Sequence, residues 1–356
     1  MKRSYWPEIA AVLIASAVVL AGILYLDQPA ELTPGATGWV DLPAEVAKIE
    51  ATQPIRAFAD TPAFKANPAG ADDHAFLWQA ATKVLGKPLP ARSQGSVGSC
   101  VSFGTASACE HSVLMAKMLG KNLEYKDLCQ EAIYALSRVE VGGGRIRGDG
   151  SVGAWAAEAV QKWGVIPRET IAGIDLSKYD EKRCRQWGSQ GLSPELEAEC
   201  KKSPVKSVTL IRSVAEAKAA LVNGYPMAVC SGQGFSSQRD TDGFARGQGS
   251  WPHCMAVLGY RSDRPGFFIW NSWGPDWIRG PKGPGEPPEG GFWCEENTFA
   301  SMLRQGDTWA FADAVGFPAR RIDWFVLRQV RTPAQLAGAR FTFPTKGRHT
   351  DAFSRN

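Results

Sequence analysis

Four residues of this sequence combine reactive chemistry with suggestive spacing: Gln94, Cys100, His253 and Asn271. A thiol attacks well only as a thiolate, which needs a lowered pKa, commonly from a helix N-terminus and a neighbouring imidazolium. Cys100 stands in QGSVGSCVSF, residues 94–103, and opens a helix-like run, where the helix dipole would set positive charge against the sulfur. Gly95, Gly98, Ser96 and Ser99 let the backbone ahead of it turn tightly and expose its N–H groups. His253, in the strand-like WPHCMAVLGY, is the candidate base. A catalytic histidine needs a partner on its second ring nitrogen to fix tautomer and ring plane. Asn271 comes 18 residues later in WNSWGPDW, where Trp273 and Trp277 could screen the pair from water.

The elements that must position these groups divide the chain. Periodicity predicts helices over residues 44–51, 74–85, 100–119, 126–137 and 152–163, the third carrying Phe103, Ala106, Leu114 and Met118 on one apolar side and ending at Gly120. Residues 172–206 are polar and read as an irregular excursion; Cys184 and Cys200 flank a turn-rich part of it and are the expected disulfide. After a short helix at 214–223, the text changes to strands: PMAVC, HCMAVLGY and GFFIWNSW. Helices first and strands second suggest an α+β fold with two lobes and a cleft between them.

In four segments, taken in order, the sequence resembles the papain-like cysteine peptidases. QGSVGSCVSF is similar to the segment holding the oxyanion glutamine and nucleophilic cysteine, PHCMAVLGY to the histidine strand, and NSWGPDW to the asparagine–tryptophan motif. GDGSVGAWAAEAVQKWGVIPRE is similar to the glycine-bearing wall of the substrate cleft. The resemblance implies a helical lobe beside an antiparallel β-barrel-like lobe, peptide or protein substrates, and neither metal nor organic cofactor. It casts Cys100 as nucleophile, His253 as base, Asn271 as its orienter and Gln94 as an oxyanion donor. Gly150 and Ser151 would pair with substrate backbone as a short antiparallel edge, and Trp273 would flank the groove. Cys230 and Cys254 fall where the family lines the pocket for the side chain one residue upstream of the scissile residue, either as small hydrophobic lining or as a disulfide. Two positions depart from the pattern: Val97 stands where the family has a disulfide cysteine, and Val101 where it has tryptophan. Residues 27–93 carry no recognisable inhibitory propeptide of the family's type. A catalytically silent peptide- or envelope-binding protein, or a thiol acyl-transferase or amidase acting on cell-wall material, would use the same fold.

Composition sets the remaining bounds. The chain has 356 residues, is 44% hydrophobic and carries a net charge of +4, too small to imply nucleic acid. Residues 9–26 hold no charge and as a helix would span ~27 Å, close to a bilayer core. Lys2 and Arg3 precede the run and acidic residues come after it, which orients it with the N-terminus inside. It reads as a single-pass membrane anchor or as a cleaved signal; either puts the body of the protein in the periplasm or outside the cell. The expected layout is an anchor or signal at 1–26, a Pro- and Ala-rich linker or stalk at 27–87, a peptidase domain at 88–315 and a basic tail at 316–356. There are eight cysteines and no CxxC pair, and the four histidines lack metal-ligand spacing.

Overall fold

The structure, a computed structural model, describes residues 37–70 and 73–324. Ten α-helices are described: α1 (Pro43–Thr52), α2 (Pro62–Ala66), α3 (Gln79–Leu85), α4 (Cys100–Met118), α5 (Gln130–Leu136), α6 (Gly153–Lys162), α7 (Glu181–Gln190), α8 (Pro194–Cys200), α9 (Val214–Val222) and α10 (Glu296–Leu303). The strands are β1 (Ala75–Phe76), β2 (Thr170–Ile171), β3 (Ile174–Asp175), β4 (Ser207–Leu210), β5 (Met227–Arg239), β6 (Ala245–Arg261), β7 (Gly266–Trp270), β8 (Gly291–Glu295) and β9 (Asp307–Ala312).

One lobe is helical, built on α4 to α8; the other is a seven-stranded sheet. Its hydrogen-bonded path runs β4-β9-β5-β6-β7-β8, with β1 also on β6, and it stays open between β4 and β8. Every pairing in this sheet is antiparallel. A large aromatic core holds the sheet lobe, with Trp78, Phe267, Phe268, Phe292 and Trp293 fully or almost fully buried.

Helix α4 lies between the lobes and is buried on nearly every side, not on the single apolar stripe its sequence predicts: 16 of its 19 residues are buried. Several of the polar ones are tolerable because they are satisfied locally or paired, although Ser112 Oγ and Glu110 Oε2 have no partner. Ser102 donates to the Ser99 carbonyl at 2.8 Å, His111 Nδ1 meets the Ser107 carbonyl at 2.7 Å, and Glu110 accepts from Arg92 at 2.8 Å.

Three expectations need correction. Residues 74–85 are not one helix: Ala75–Phe76 pair with Tyr260 and Gly259 of β6, and the helix starts at Gln79. Residues 172–206 are not irregular, since they hold α7 and α8. Polar α7 hides only Cys184 and Gly188, so its apolar signal is too thin to read as a helix. The expected Cys184–Cys200 disulfide is absent, and all eight cysteines are free. Cys184 packs with Val97 and Tyr134, whereas Cys200 joins Leu136, Leu192 and Leu196 in a different cluster.

The stretch read as a linker is built into the body from residue 37 onward. Trp39, Val46, Ile49, Phe58 and Ala63 are all buried. The tail also begins packed: Phe317 and Trp324 are buried, and Tyr225 Oη donates to the Pro318 carbonyl at 2.6 Å. The uncharged run 9–26 and residues 325–356 lie outside the described residues. Among the described residues, no helix is long and apolar enough to cross a membrane.

Candidate active site

Cys100 is the first residue of α4, as its sequence context predicts, and Ser99 precedes it in a non-helical conformation. The backbone N–H groups of Cys100 and Val101 face the sulfur, as does that of Cys254 on β6. This brings the start of α4 against the strand that carries His253. Its ring Nε2 lies 2.7 Å from Asn271 Oδ1, which also accepts from the Ser272 N–H at 2.7 Å. An oxygen that accepts from both places the proton on Nε2 and leaves Nδ1 with its lone pair. Nδ1 is buried and makes no hydrogen bond.

The indole of Trp273 lies over His253 with ring centroids 4.8 Å apart, and Trp251 and Trp277 pack on Trp273 at 4.7 and 5.3 Å. Trp251 belongs to this screen although nothing in its sequence context singles it out. Gln94 is placed by backbone pairing: its N–H donates to the Ser272 carbonyl at 2.9 Å, and Gly274 N–H donates to the Arg92 carbonyl at 2.8 Å. Ser272 Oγ then holds Gln94 Oε1 at 2.7 Å, while Gln94 Nε2 donates to the Val97 carbonyl at 2.9 Å. Ser272 thus fixes which end of the amide faces the Cys100 loop, a role the sequence reading missed.

The expectation of a lowered thiol pKa fails in this closed state. Burial pushes the Cys100 thiol well up, and the neighbouring Cys254 thiol adds to this, against the pull of the surrounding N–H groups. Burial likewise lowers His253 to about 4, although its bond to Asn271 opposes the shift. Both groups are fully buried and therefore favour their neutral forms.

The burial comes in part from the chain's own residues 37–40. Gly38 and Trp39 donate their N–H groups to the Pro252 carbonyl at 2.9 and 3.0 Å, one residue before His253. On the opposite wall, Ser151 N–H donates to the Gly38 carbonyl at 2.8 Å, and Val40 N–H donates to the Ser151 carbonyl at 2.9 Å. The segment runs parallel to Ser151. It lies so close to the Cys100 loop that a Cβ on Gly38 would fall 2.0 Å from the Gly98 carbonyl oxygen. Of the two residues expected to pair with a backbone in the groove, only Ser151 does so. Gly150 is already committed, its N–H to Tyr134 Oη at 2.9 Å and its carbonyl to Arg138.

Trp39 is buried in the same cluster as Cys230, Cys254 and Cys100, and its indole N–H donates to Asp307 Oδ2 at 2.8 Å. Cys230 and Cys254 stand directly opposite each other on β5 and β6 as free thiols, with no disulfide between them. Burying an indole of ~150–250 Å² at ~25 cal/mol/Å² contributes about 4–6 kcal/mol. Ordering four backbone residues costs about 4–8 kcal/mol. The segment is therefore held close to balance, and the helix joined to it decides the outcome.

That helix, α1, docks Val46 and Ile49 into the same cluster as Trp39 and Cys100. Arg145 grips Glu45 with two bonds of 2.9 and 2.8 Å, and Trp155 Nε1 donates to the same carboxylate at 3.0 Å. These bonds, that from Arg145 foremost, hold the Glu45 carboxyl at about 2, against an ordinary 4.5. A depressed carboxylate contributes stability that is complete above the unfolded value and lost as pH falls through the folded one. Arg145 is half exposed, so the pair contributes at most about 1 kcal/mol. Glu45→Gln is expected to lower the melting temperature at pH 7 by roughly 2 °C, with the gap to the parent closing between pH 4.5 and 2 in paired thermal scans.

The sequence model of the papain family cysteine proteases matches residues 78–283, more than half of the chain. The chain belongs to that family. Xylellain, a cysteine protease from Xylella fastidiosa, superposes with a TM-score of 0.51 at 16% identity, covering 80% of this chain and 98% of that one. Digestive procathepsin L 3 of Tenebrio molitor larval midgut gives 0.47 at 15%, covering 75% and 79%, and procathepsin B S9 from Trypanosoma congolense gives 0.48 at 13%, covering 78% and 85%. None of the curated proteins matches the chain. As a papain-family member the protein is a cysteine-type peptidase with a papain-like α+β fold. Its two departures are both accommodated by apolar packing: Val97 against Tyr134 and Cys184, and Val101 in the cluster around Cys100.

Proposed function

We propose that the protein hydrolyses peptide bonds by acyl transfer through Cys100, with His253, Asn271 and Gln94 in the roles their positions suggest. His253 Nδ1 takes the thiol proton as the sulfur attacks the substrate carbonyl carbon. The resulting oxyanion is met by Gln94 Nε2 and the Cys100 backbone N–H. His253 returns the proton to the leaving amine, and a thioester remains on Cys100. Water then attacks the thioester, His253 takes a proton from it, and the thiol is regenerated with release of the acid. Asn271 holds the ring throughout, and the tryptophans over it keep bulk water from the pair. The observation that carries this reading is the 2.7 Å bond between His253 Nε2 and Asn271 Oδ1, with the Cys100 sulfur, at a helix start, facing the N–H of the adjoining Cys254. The uncharged run 9–26 supports a further part of the proposal, a single-pass anchor with the peptidase in the periplasm or outside the cell.

The test is cleavage of a peptide library with mass-spectrometric readout, comparing Trp39→Ala, which opens the groove, with the Trp39→Ala/Gln94→Ala double variant. Losing one oxyanion donor is expected to lower kcat by about 10²–10³-fold with little change in KM. An unchanged kcat would remove Gln94 from the mechanism. Absence of turnover in both the parent and a chain with residue 39 substituted would favour a silent binding protein.

A further inference from the structure

The stretch between Gln94 and Cys100 has no covalent tether. All eight cysteines are free, and Val97 is the only apolar residue of 94–99. Its side chain is buried against Tyr134 and Cys184. The shape of this loop nevertheless decides where the amide points, because Gln94 Nε2 donates to the Val97 carbonyl at 2.9 Å.

The loop is gripped from outside, mostly by polar α7. Glu181 Oε2 accepts from the Ser96 N–H at 3.1 Å and from the Ser96 hydroxyl. Arg185, four residues on, donates to the Ser96 carbonyl at 2.9 Å and to Ser96 Oγ at 3.0 Å. It also lies 3.7 Å from Glu181 and 3.6 Å from Asp149, whose Oδ2 accepts from the Gly98 N–H at 3.1 Å. Just ahead of α7, Tyr179 Oη lies 3.1 Å from Ser99 Oγ. Gly95 has a φ of +60°, and a Cβ there would fall 2.0 Å from Glu181 Oε1, so the carboxylate is seated flush against the turn. The helix can serve as a fixed point because its own start is fastened. Buried Glu131 of α5 accepts from the Asp180 N–H at 3.0 Å and from Arg183 at 2.7 Å. The polar surface of α7 thus has a partner within the molecule, the loop that carries the oxyanion donor.

We propose that Glu181, Arg185 and Asp149 are positioning residues for the oxyanion hole: their polar clamp on residues 95–98 stands in for a covalent tether and sets where Gln94 Nε2 points. The proposal rests on the peptidase reading, in which Gln94 meets the oxyanion. Charge on that oxygen exists only in the transition state, so a clamp that acts through Gln94 governs kcat and leaves KM nearly alone.

The experiment measures peptide hydrolysis in the Trp39→Ala background with Glu181→Ala, Gln94→Ala and both together. Glu181→Ala is expected to lower kcat by about ten- to a hundredfold, because a slightly misplaced donor is costly, with KM changed by less than about threefold. Since the clamp works through Gln94, the double variant should be no slower than Gln94→Ala alone. Losses that multiply would overturn the proposal, as would a normal kcat in Glu181→Ala where Gln94→Ala is slow. Glu181→Gln keeps an oxygen for the Ser96 N–H, so its kcat should fall between those of Glu181→Ala and the Trp39→Ala parent. A rate equal to that of Glu181→Ala counts against the bond to Ser96. Alkylation of Cys100 by iodoacetamide needs no oxyanion and should stay within about threefold of the Trp39→Ala rate in each clamp variant. A fall in step with kcat would mean that the sulfur itself has moved, and would overturn the assignment to Gln94. Failure of the underlying reading looks different: Trp39→Ala would show no turnover, or Gln94→Ala would keep the full rate, and either result removes the proposal with it.

Discussion

In the Trp39→Ala chain, Cys100→Ala is expected to lower peptide hydrolysis by about 10⁴–10⁶-fold, to the level of a groove that binds peptide and holds no nucleophile. The size reflects the chemistry: without the sulfur there is no acyl-enzyme, and the remaining donors stabilise an oxyanion that water alone must generate. The rival thiol is close at hand, because Cys254 adjoins Cys100. Cys254, however, lies within a strand, paired across to Cys230, and has no helix start behind it. Cys254→Ala should therefore alter the rate by no more than roughly tenfold, through the shape of the pocket. Progress curves on one peptide for the three chains separate these cases. Turnover that survives Cys100→Ala and disappears in Cys254→Ala would move the nucleophile by one strand. Thermal scans guard against a trivial loss, since exchanging one small buried side chain for another leaves the core of α4 filled.

The candidate site was legible because each of its parts is announced locally. A cysteine after a Gly- and Ser-rich turn and before an apolar run has few places to sit other than a helix start, and Cys100 sits there. His253 lies on β6 and Asn271 just past the end of neighbouring β7, so a spacing of 18 residues is enough to suggest that they meet. The residues that went unread lack any such local announcement. Trp39 is the single aromatic of residues 27–57, within a Pro- and Ala-rich stretch, and its partner Asp307 is 268 positions away. Asp307 begins the short strand DTWAFA, where a lone carboxylate reads as a turn residue; that it is buried depends on α6 and Trp309 arriving around it. Ser272 hides within the tryptophan motif, although its hydroxyl is what orients Gln94. The same limit explains the missed helices at 181–200: α7 is polar enough to look like loop, and its register is set by two small buried residues. Closure of the groove was invisible for a further reason. The hydrogen bonds of residues 37–40 are made almost wholly by backbone, and backbone donors carry no signature of their partner.

His253→Ala is expected to reduce hydrolysis about as far as Cys100→Ala does, and the double variant should be no worse than either single one. Groups that act as one unit do not add, so a further loss in the double variant would show two independent routes to product. The pH behaviour gives a second, separate readout. With His253 present and the groove opened by Trp39→Ala, the thiol and imidazole can share a proton, and Cys100 alkylation should proceed below pH 7. Without the imidazole, the rate should track an ordinary cysteine, rising only toward a pKa of about 8.5. The closed chain provides the converse. Burial lowers His253 from an ordinary 6.5 to about 4, so between those values the unfolded chain binds more protons than the folded one, and stability falls as pH falls. His111, equally buried and also near 4, contributes a share of the same sign. Removing His253 should therefore shrink, without abolishing, the loss of melting temperature between pH 6.5 and 4. An unchanged slope would mean that the imidazole is solvated in the closed state, and then the screen formed by Trp273 and residues 37–40 could not be what keeps it neutral.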